Sequence, residues 1–287
     1  MLVSVVIPSY NSSKYMKETL CTVYSQTYAH IEVIIVDDHS DDFDDLVNLV
    51  SGLAKSNLTL FRQPKNLNGA AARNKGVELS KGDLICFLDA DDLWEPTKIA
   101  EQVSVYKKNS VVTCKTKPIL RGKPVIKESV RSDYDSNRTG FFNLFSKLEH
   151  NLVLQTSSIM ISREDFYLIG GFDESLFRHQ DFQLVYAIDL FKLNVIFVDK
   201  CLSYYVKDDR TAIQKGWSIK RSEYFIDNYR EGFKGNELLN FLIIQLMGPS
   251  IKCNSMFSWL RLCHKYKVGF TNVLFLSICY LSKRLFG

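Results

Sequence analysis

The sequence lacks the marks of several protein classes. Its seven cysteines, Cys21, Cys86, Cys114, Cys201, Cys253, Cys263 and Cys279, are odd in number, scattered and without a Cys-x-x-Cys pair. This argues against a disulfide framework or a zinc knuckle and for a reducing compartment, with each thiol a small buried hydrophobe. No stretch supplies the roughly 18 uninterrupted apolar residues that a membrane-spanning helix needs. No basic leader precedes the apolar run Val3–Ile7, and Pro8 ends it early, so the run is read as a first strand rather than an export signal. No Gly-x-Gly-x-x-Gly follows that strand, which weakens a dinucleotide-oxidoreductase reading. Acidic residues are missing from one region: Leu238–Gly287 holds six Lys/Arg and no Asp or Glu, against a whole-chain charge of +4, so the body is slightly acidic and the tail basic.

What is present is a chain of 287 residues, 46% hydrophobic and 24% charged, able to bury a sizeable core. The β-branched run Leu2–Ile7 ends in the turn-forming Pro8-Ser9-Tyr10-Asn11. A helical pattern follows (Tyr15, Leu20, Val23, Tyr24), then a second buried strand, Ile31–Val36, ending in Asp37-Asp38-His39-Ser40. Strand, helix and strand form a right-handed βαβ unit of a parallel sheet covered on both faces, whose ligands bind beyond the strand C-terminal ends. Phe43–Leu53 reads as a helix and Leu58–Arg62 as a strand; Asn68 caps a helix in which Ala70–Ala72 permit close packing and Arg73 can reach an anion.

The strand Leu84–Leu88 runs into Asp89-Ala90-Asp91-Asp92. Three carboxylates there would repel one another, which makes sense if a divalent cation sits among them. Asp89 and Asp91, at i and i+2, project to one side about 7 Å apart, and a small bend lets both reach one ion or its phosphate ligands. A solvated acidic turn is the plain alternative; the convergence of three such loops on one sheet edge favours a site. A receiver-type signalling domain would also gather Asp37 and Asp38, but has no need of Asp89 and Asp91 on another strand. Farther on, Trp94-Glu95-Pro96 is read as opening a helix, Val111–Lys117 as a strand, Arg121–Pro124 as a turn, Arg131–Thr139 as a loop, and Gln155–Ile161 and Val195–Val198 as strands.

Val3–Asn11, Val36–Asp41, Ala72–Gly76 and Phe87–Asp92, in this order and spacing, resemble the successive motifs of family 2 glycosyltransferases, inverting nucleotide-sugar-dependent enzymes of the GT-A fold. The resemblance resumes near Ser157. It implies an α/β fold with a mostly parallel sheet flanked by helices, a catalytic domain over about 1–215 and a helical segment over 216–287. It also implies that Pro8, Tyr10 and Asn11 border the nucleoside of a UDP-sugar, that Asp38 accepts from the base edge beside Arg73, and that Asp89 and Ala90 line the sugar-nucleotide. Asp91, with Asp89 as a second ligand, would hold Mn²⁺ or Mg²⁺ against the diphosphate; Asp92 would be a supporting residue or a helix cap. Gly170-Gly171-Phe172-Asp173-Glu174 followed by Gln180-Asp181 resembles the family's acceptor-activating element, whose usual pattern is Glu-Asp, so Asp181 is the carboxylate left to act as base. His179 is close enough to be a metal or phosphate ligand, although a lone histidine is more often structural.

Processive members carry Gln-x-x-Arg-Trp and membrane spans; Gln214–Trp217 lacks the arginine, so transfer of one sugar is expected. The tail, with Phe241–Met247, Val273–Leu281 and its Lys/Arg, is read as contacting an anionic membrane surface, placing the enzyme peripherally on the inner face of the cytoplasmic membrane. A glycan or lipid-linked glycan acceptor of O-antigen, capsule or lipopolysaccharide assembly would fit, and no nucleic-acid partner is expected. The competing possibility is a non-catalytic sugar-nucleotide-binding scaffold of the same fold.

Overall fold

A computed structural model describes residues 1–120, 134–135, 137–146, 154–207, 217–269, 273 and 278. The Arg121–Pro124 turn, residues 131–133 and 136 of the 131–139 loop, Gln214–Gly216 and, apart from Val273 and Ile278, the stretch Val273–Leu281 lie outside these residues. In chain order the elements are β1 (Val3–Ser9), α1 (Ser13–Tyr24), β2 (Ile31–Asp37), α2 (Phe43–Leu53), β3 (Leu58–Arg62), α3 (Gly69–Leu79), β4 (Leu84–Phe87), β5 (Leu93–Trp94) and α4 (Lys98–Val105). They continue as β6 (Ser110–Leu120), α5 (Gly140–Phe145), β7 (Met160–Ser162), α6 (Arg163–Leu168), α7 (Gln180–Leu190) and β8 (Asn194–Lys207). Further helices are α8 (Ile219–Tyr229), α9 (Glu237–Phe241), α10 (Gly248–Lys252) and α11 (Met256–Lys265), with a π-helical stretch Leu242–Met247 joining α9 to α10.

Among the described residues the sheet has eight strands in the order β3-β2-β1-β4-β7-β6-β8-β5. β3, β2, β1 and β4 are parallel, with Val5 of β1 facing Val33 of β2 and Cys86 of β4. Val3, Val5, Val6 and Ile7 are all fully buried, as expected for a strand covered on both faces. β7 runs antiparallel between β4 and β6, and β5 antiparallel at the far edge on β8, so the sheet is mixed beyond its first four strands. α3 lies close against this sheet because its inner face is small: a methyl group on Gly76 would sit 2.3 Å from Val6 Cγ1.

Two local expectations need correction. Trp94 belongs to β5 rather than to a helix start, because its indole is buried and its Nε1–H donates to the Ser157 carbonyl (2.7 Å); the helix begins at Lys98. Gln155–Ile161 is not one strand: Thr156–Ser158 form a 3₁₀ turn in which the Ser157 and Ser158 hydroxyls meet polar partners, and only Met160–Ser162 pairs into the sheet.

The tail is largely an integral part of the core. Phe225, Phe241, Leu242, Ile243, Leu246 and Trp259 form one buried cluster with Phe141 and Phe145 of α5, Leu176 of the segment before α7, and Val185 of α7. Trp259 also donates its indole N–H to the Leu242 carbonyl at 2.8 Å. The apolar stretch Phe241–Met247, read from sequence as membrane-seeking, thus faces protein. Trp259→Ala should cost about 3–5 kcal/mol in urea unfolding followed by circular dichroism, as for a large aromatic removed from a packed core. A loss below about 1 kcal/mol would mean that the tail merely rests on the body.

Candidate active site

Because β1, β2 and β4 are parallel, the loops that follow them open on the same edge of the sheet. The first two loops are tied together: Asn11 N–H donates to Ser40 Oγ (2.9 Å), and Asp41 N–H donates to Asn11 Oδ1 (2.8 Å). Asn11 adopts φ 49°, a left-handed conformation that asparagine tolerates. Beside it Tyr10 is 52% exposed, an aromatic face at the lip of the cleft, while Pro8 lies half-buried within β1.

Asp38 is buried beneath that lip. Its Oδ1 accepts from Gln63 Nε2 (2.9 Å) and Leu67 N–H (2.7 Å), and its Oδ2 accepts from Asn68 N–H (2.8 Å). Burial pushes its pKa up, the two backbone donors pull it down, and the neighbouring Asp37 adds to the rise; the net shift is upward. Each carboxylate oxygen can accept twice, so Oδ2 keeps capacity for one more donor.

Asn68 caps α3, its Oδ1 accepting from Ala70 N–H (2.8 Å) and Ala71 N–H (3.3 Å). One turn on, the buried Arg73 pairs through Nη2 with Asp89 Oδ1 and donates through Nη1 to Gln180 Oε1 (2.8 Å). Its guanidinium lies over the Phe172 ring, 5.4 Å from the centroid. Gln180 in turn donates to the Leu176 carbonyl (2.7 Å) and to Asn68 Oδ1 (3.3 Å). A glutamate, the usual residue of the resembled pattern, could not make those two donations.

The loop after β4 is fixed from below by Asp92, which is fully buried. Asp92 Oδ2 accepts from Ser157 Oγ (2.7 Å) and Gln155 Nε2 (3.3 Å), and Oδ1 accepts from Val206 N–H (3.1 Å). Asp89 N–H donates to the same Ser157 oxygen (3.1 Å), and Thr19 Oγ1 donates to the Ala90 carbonyl (2.9 Å). Burial, then the charges of Asp89 and Asp91, push the Asp92 pKa well up. Asp92 therefore ties the loop to the 3₁₀ turn and β8; it caps no helix. Asp89 and Asp91, both half-buried, are the loop's carboxylates nearer solvent.

Among the described residues no ready-made group of three or more His, Cys, Asp or Glu could hold a metal ion. Magnesium-like ions are commonly held by one or two carboxylates with the remaining positions filled by phosphate and water. Asp91 with Asp89 fits that pattern, which needs an anionic ligand to complete it.

Asp181 is the second residue of α7 and is half-buried, with Oδ1 accepting from Phe182 N–H (3.0 Å). Burial pushes its pKa up; the Phe182 N–H and the Arg73 and Arg178 cations oppose this, and Asp89 adds to it. The helix cap position belongs to His179, at φ 65°. The His179 ring is buried among Phe182, Phe225 and Phe241 at centroid distances of 5.3, 5.2 and 5.1 Å, with Nε2 against Ser222 Oγ (2.8 Å). Burial and the Arg178 cation hold its pKa well below the usual value, so it is a neutral core residue rather than an ion ligand.

The structure thus brings Asp38, Arg73, Asp89 and the Gln180-Asp181 pair into one connected cluster through Asn68, with Tyr10 and Asn11 at its rim. Sequence reasoning missed Gln63, Ser157 and Arg178, isolated polar residues on separate segments with no spacing signal.

Residues 4–169 match glycosyl transferase family 2. Over 242 residues the chain is 34% identical to the amylovoran biosynthesis glycosyltransferase AmsB of Erwinia amylovora, covering 78% of this chain and 76% of that protein. Over 173 residues it is 28% identical to the UDP-Glc:alpha-D-GlcNAc-diphosphoundecaprenol beta-1,3-glucosyltransferase WfgD of Escherichia coli, covering 58% of this chain and 68% of that one. Among solved structures, GalNAc-T7 with UDP, GalNAc and Mn²⁺ superposes with a TM-score of 0.61 at 18% identity, over 80% of this chain and 50% of that one. The mixed sheet and its flanking helices are therefore a GT-A fold, as the resemblance implied.

Asp92→Asn would set an amide N–H₂ against one of the donors that the carboxylate now accepts. Leaving such a buried donor unpaired should lower stability by about 1–3 kcal/mol in chemical denaturation; an unchanged midpoint would show that Asp92 does not anchor the loop.

Proposed function

Because the chain belongs to glycosyl transferase family 2, we propose that it transfers a single sugar, a hexose or N-acetylhexosamine, from a UDP-sugar to an acceptor hydroxyl with inversion. The acceptor in this reading is a bacterial surface glycan assembled on a lipid carrier. The observation that carries it is the Arg73 bridge, which joins Asp89 at the donor edge to Gln180 beside Asp181. Donor-holding and acceptor-activating groups thereby meet at one point. The names of the two relatives, an amylovoran biosynthesis enzyme and a diphosphoundecaprenol glucosyltransferase, support the acceptor class.

In this reading Tyr10 stacks on the base, Pro8 and Asn11 border the nucleoside, Ala90 lines the sugar-nucleotide, and the spare acceptor capacity of Asp38 Oδ2 takes a base-edge N–H. Asp91, with Asp89, holds Mn²⁺ or Mg²⁺, which when bound neutralises charge on the diphosphate leaving group. Asp181 removes the proton of the acceptor hydroxyl as that oxygen attacks the anomeric carbon. Its raised pKa makes it a better base than an exposed aspartate, at the cost of protonation at higher pH.

Among the described residues, membrane contact in this reading falls to the outer side of α10 and α11. Phe257 is 84% exposed, Leu260 42% and Ile251 45%, alongside the cations Lys252 and Arg261. An apolar face edged by cations supports peripheral binding to anionic lipid at the cytoplasmic face. Phe257→Glu should reduce sedimentation with anionic liposomes severalfold, and undiminished binding would remove this contact from the reading.

Asp181→Asn should lower turnover about 10²–10⁴-fold with UDP affinity retained; turnover within threefold of the parent would dismiss it as the base. Asp91→Ala should abolish the Mn²⁺-dependent part of the thermal shift produced by UDP. Arg73→Gln removes a cation that lowers the Asp181 pKa and leaves Asp89, which raises it, unpaired. Both effects have one sign, so the acid limb of the kcat profile should move to higher pH; a stationary limb would show that Asp181 is not the titrating base.

A further inference from the structure

Arg178 lies outside the machinery assigned above. It precedes α7 by two residues, between the 56%-exposed Phe177 and the buried His179, and is itself half-buried. Its Nε is buried without a hydrogen-bond partner. A guanidinium carries five N–H donors and is almost never deprotonated, so a partly desolvated arginine normally has a carboxylate or phosphate beside it. Among the described residues, the charges of Asp181, Tyr205 and Arg221 act on it. Arg178 therefore stands beside the candidate base, within reach of its charge.

A second feature points to the same place. α8 begins with Ile219-Lys220-Arg221, no acid lies in its first turn, and the Ser218 side chain makes no capping hydrogen bond. Cations at a helix N-terminus add to the positive end of the helix dipole, an arrangement that favours a nearby anion. Arg221 stacks on Phe177 at 5.1 Å, which places this positive turn beside the residue preceding Arg178.

We propose that Arg178, with Arg221 and the first turn of α8, receives a phosphate carried by the acceptor, so that the acceptor sugar is linked through phosphate or diphosphate. The proposal rests on the transferase reading and adds to it how the acceptor is recognised. Planar, bidentate recognition of phosphate oxygens is what an arginine fork supplies. Holding the phosphate there would set the attached sugar next to Asp181, so that acceptor recognition and proton removal share one loop.

The test titrates the full chain, saturated with UDP and Mn²⁺, with three probes: N-acetylglucosamine 1-phosphate, the same sugar linked through diphosphate to a short alkyl chain, and its alkyl glycoside without phosphate. The parent should bind at least one phosphorylated probe about tenfold or more tightly than the glycoside. Arg178→Gln should erase that preference while UDP affinity stays within twofold, and Arg178→Lys should restore part of it. Equal affinity for both phosphorylated probes would assign recognition to the phosphate alone, and a gain only with the alkyl diphosphate to the lipid-carrier linkage; either supports the proposal. No preference in the parent, or a preference retained in Arg178→Gln, would overturn it. Loss of UDP affinity in Arg178→Gln would overturn it too, by placing Arg178 on the donor. If the parent itself fails to bind UDP, the transferase reading falls and this inference with it.

Discussion

The pairing of Arg73 with Asp89 and Gln180 is the constraint on which the site depends. A guanidinium this deeply buried must find acceptors, because an unpaired charge away from water costs several kcal/mol. Arg73 finds them on two separate segments, the loop after β4 and the start of α7. The two halves of the cleft are therefore joined by one side chain. Its direction is set by α3, whose alanines and Gly76 pack against β1 and β2, and by Asn68 at the helix start. Asn68 is itself a junction: its N–H binds Asp38, its Oδ1 caps α3 and accepts from Gln180, and its Nδ2 donates to the Glu174 carbonyl at 2.8 Å. From Asp38 to Gln180, the neighbour of Asp181, the cluster is thus one chain of hydrogen bonds.

Gln180 gains meaning from that chain. Its amide accepts from a cation at one end and donates to two oxygens at the other, whereas a carboxylate there could only accept. A carboxylate would also set a second negative charge one residue from Asp181, whose pKa burial already raises. The neutral side chain keeps the bridge while sparing the candidate base a further upward shift.

The first half of the fold was legible because its signals are local. β1, β2, β3 and β4 are short apolar runs closed by turn residues, and the placement of Asp38, Asp89 and Asp91 at one edge followed from parallel pairing. What was not legible depends on contacts distant in sequence. Trp94 reads as a helix opener beside Glu95-Pro96, yet its indole bond to Ser157 draws it into a strand. Asp92 looks equivalent to Asp89 and Asp91, but Val206 and Ser157, both far along the chain, turn it inward. His179 sits beside the candidate base in sequence, whereas the left-handed turn at that residue sends its ring into an aromatic core supplied by α8 and α9.

The basic tail shows how composition can mislead about where a charge is used. Its lack of acids suggested a surface facing anionic lipid, but the acids that meet some of its cations lie just upstream, on α8. Lys265 Nζ lies 2.8 Å from both Glu223 Oε1 and Asp227 Oδ2, and Arg261 lies 3.7 Å from Glu223. These pairs link α11 to α8 while Trp259, Leu262 and Cys263 bury the other side of α11. The described part of the tail is thus part of the packing that supports α7, the helix that presents Asp181. Among the described residues of the tail, the apolar side chains the core leaves outside include Phe257 and Leu260. Because α7 and α11 share one hydrophobic cluster, a force on that surface would be felt through the same core that positions the candidate base.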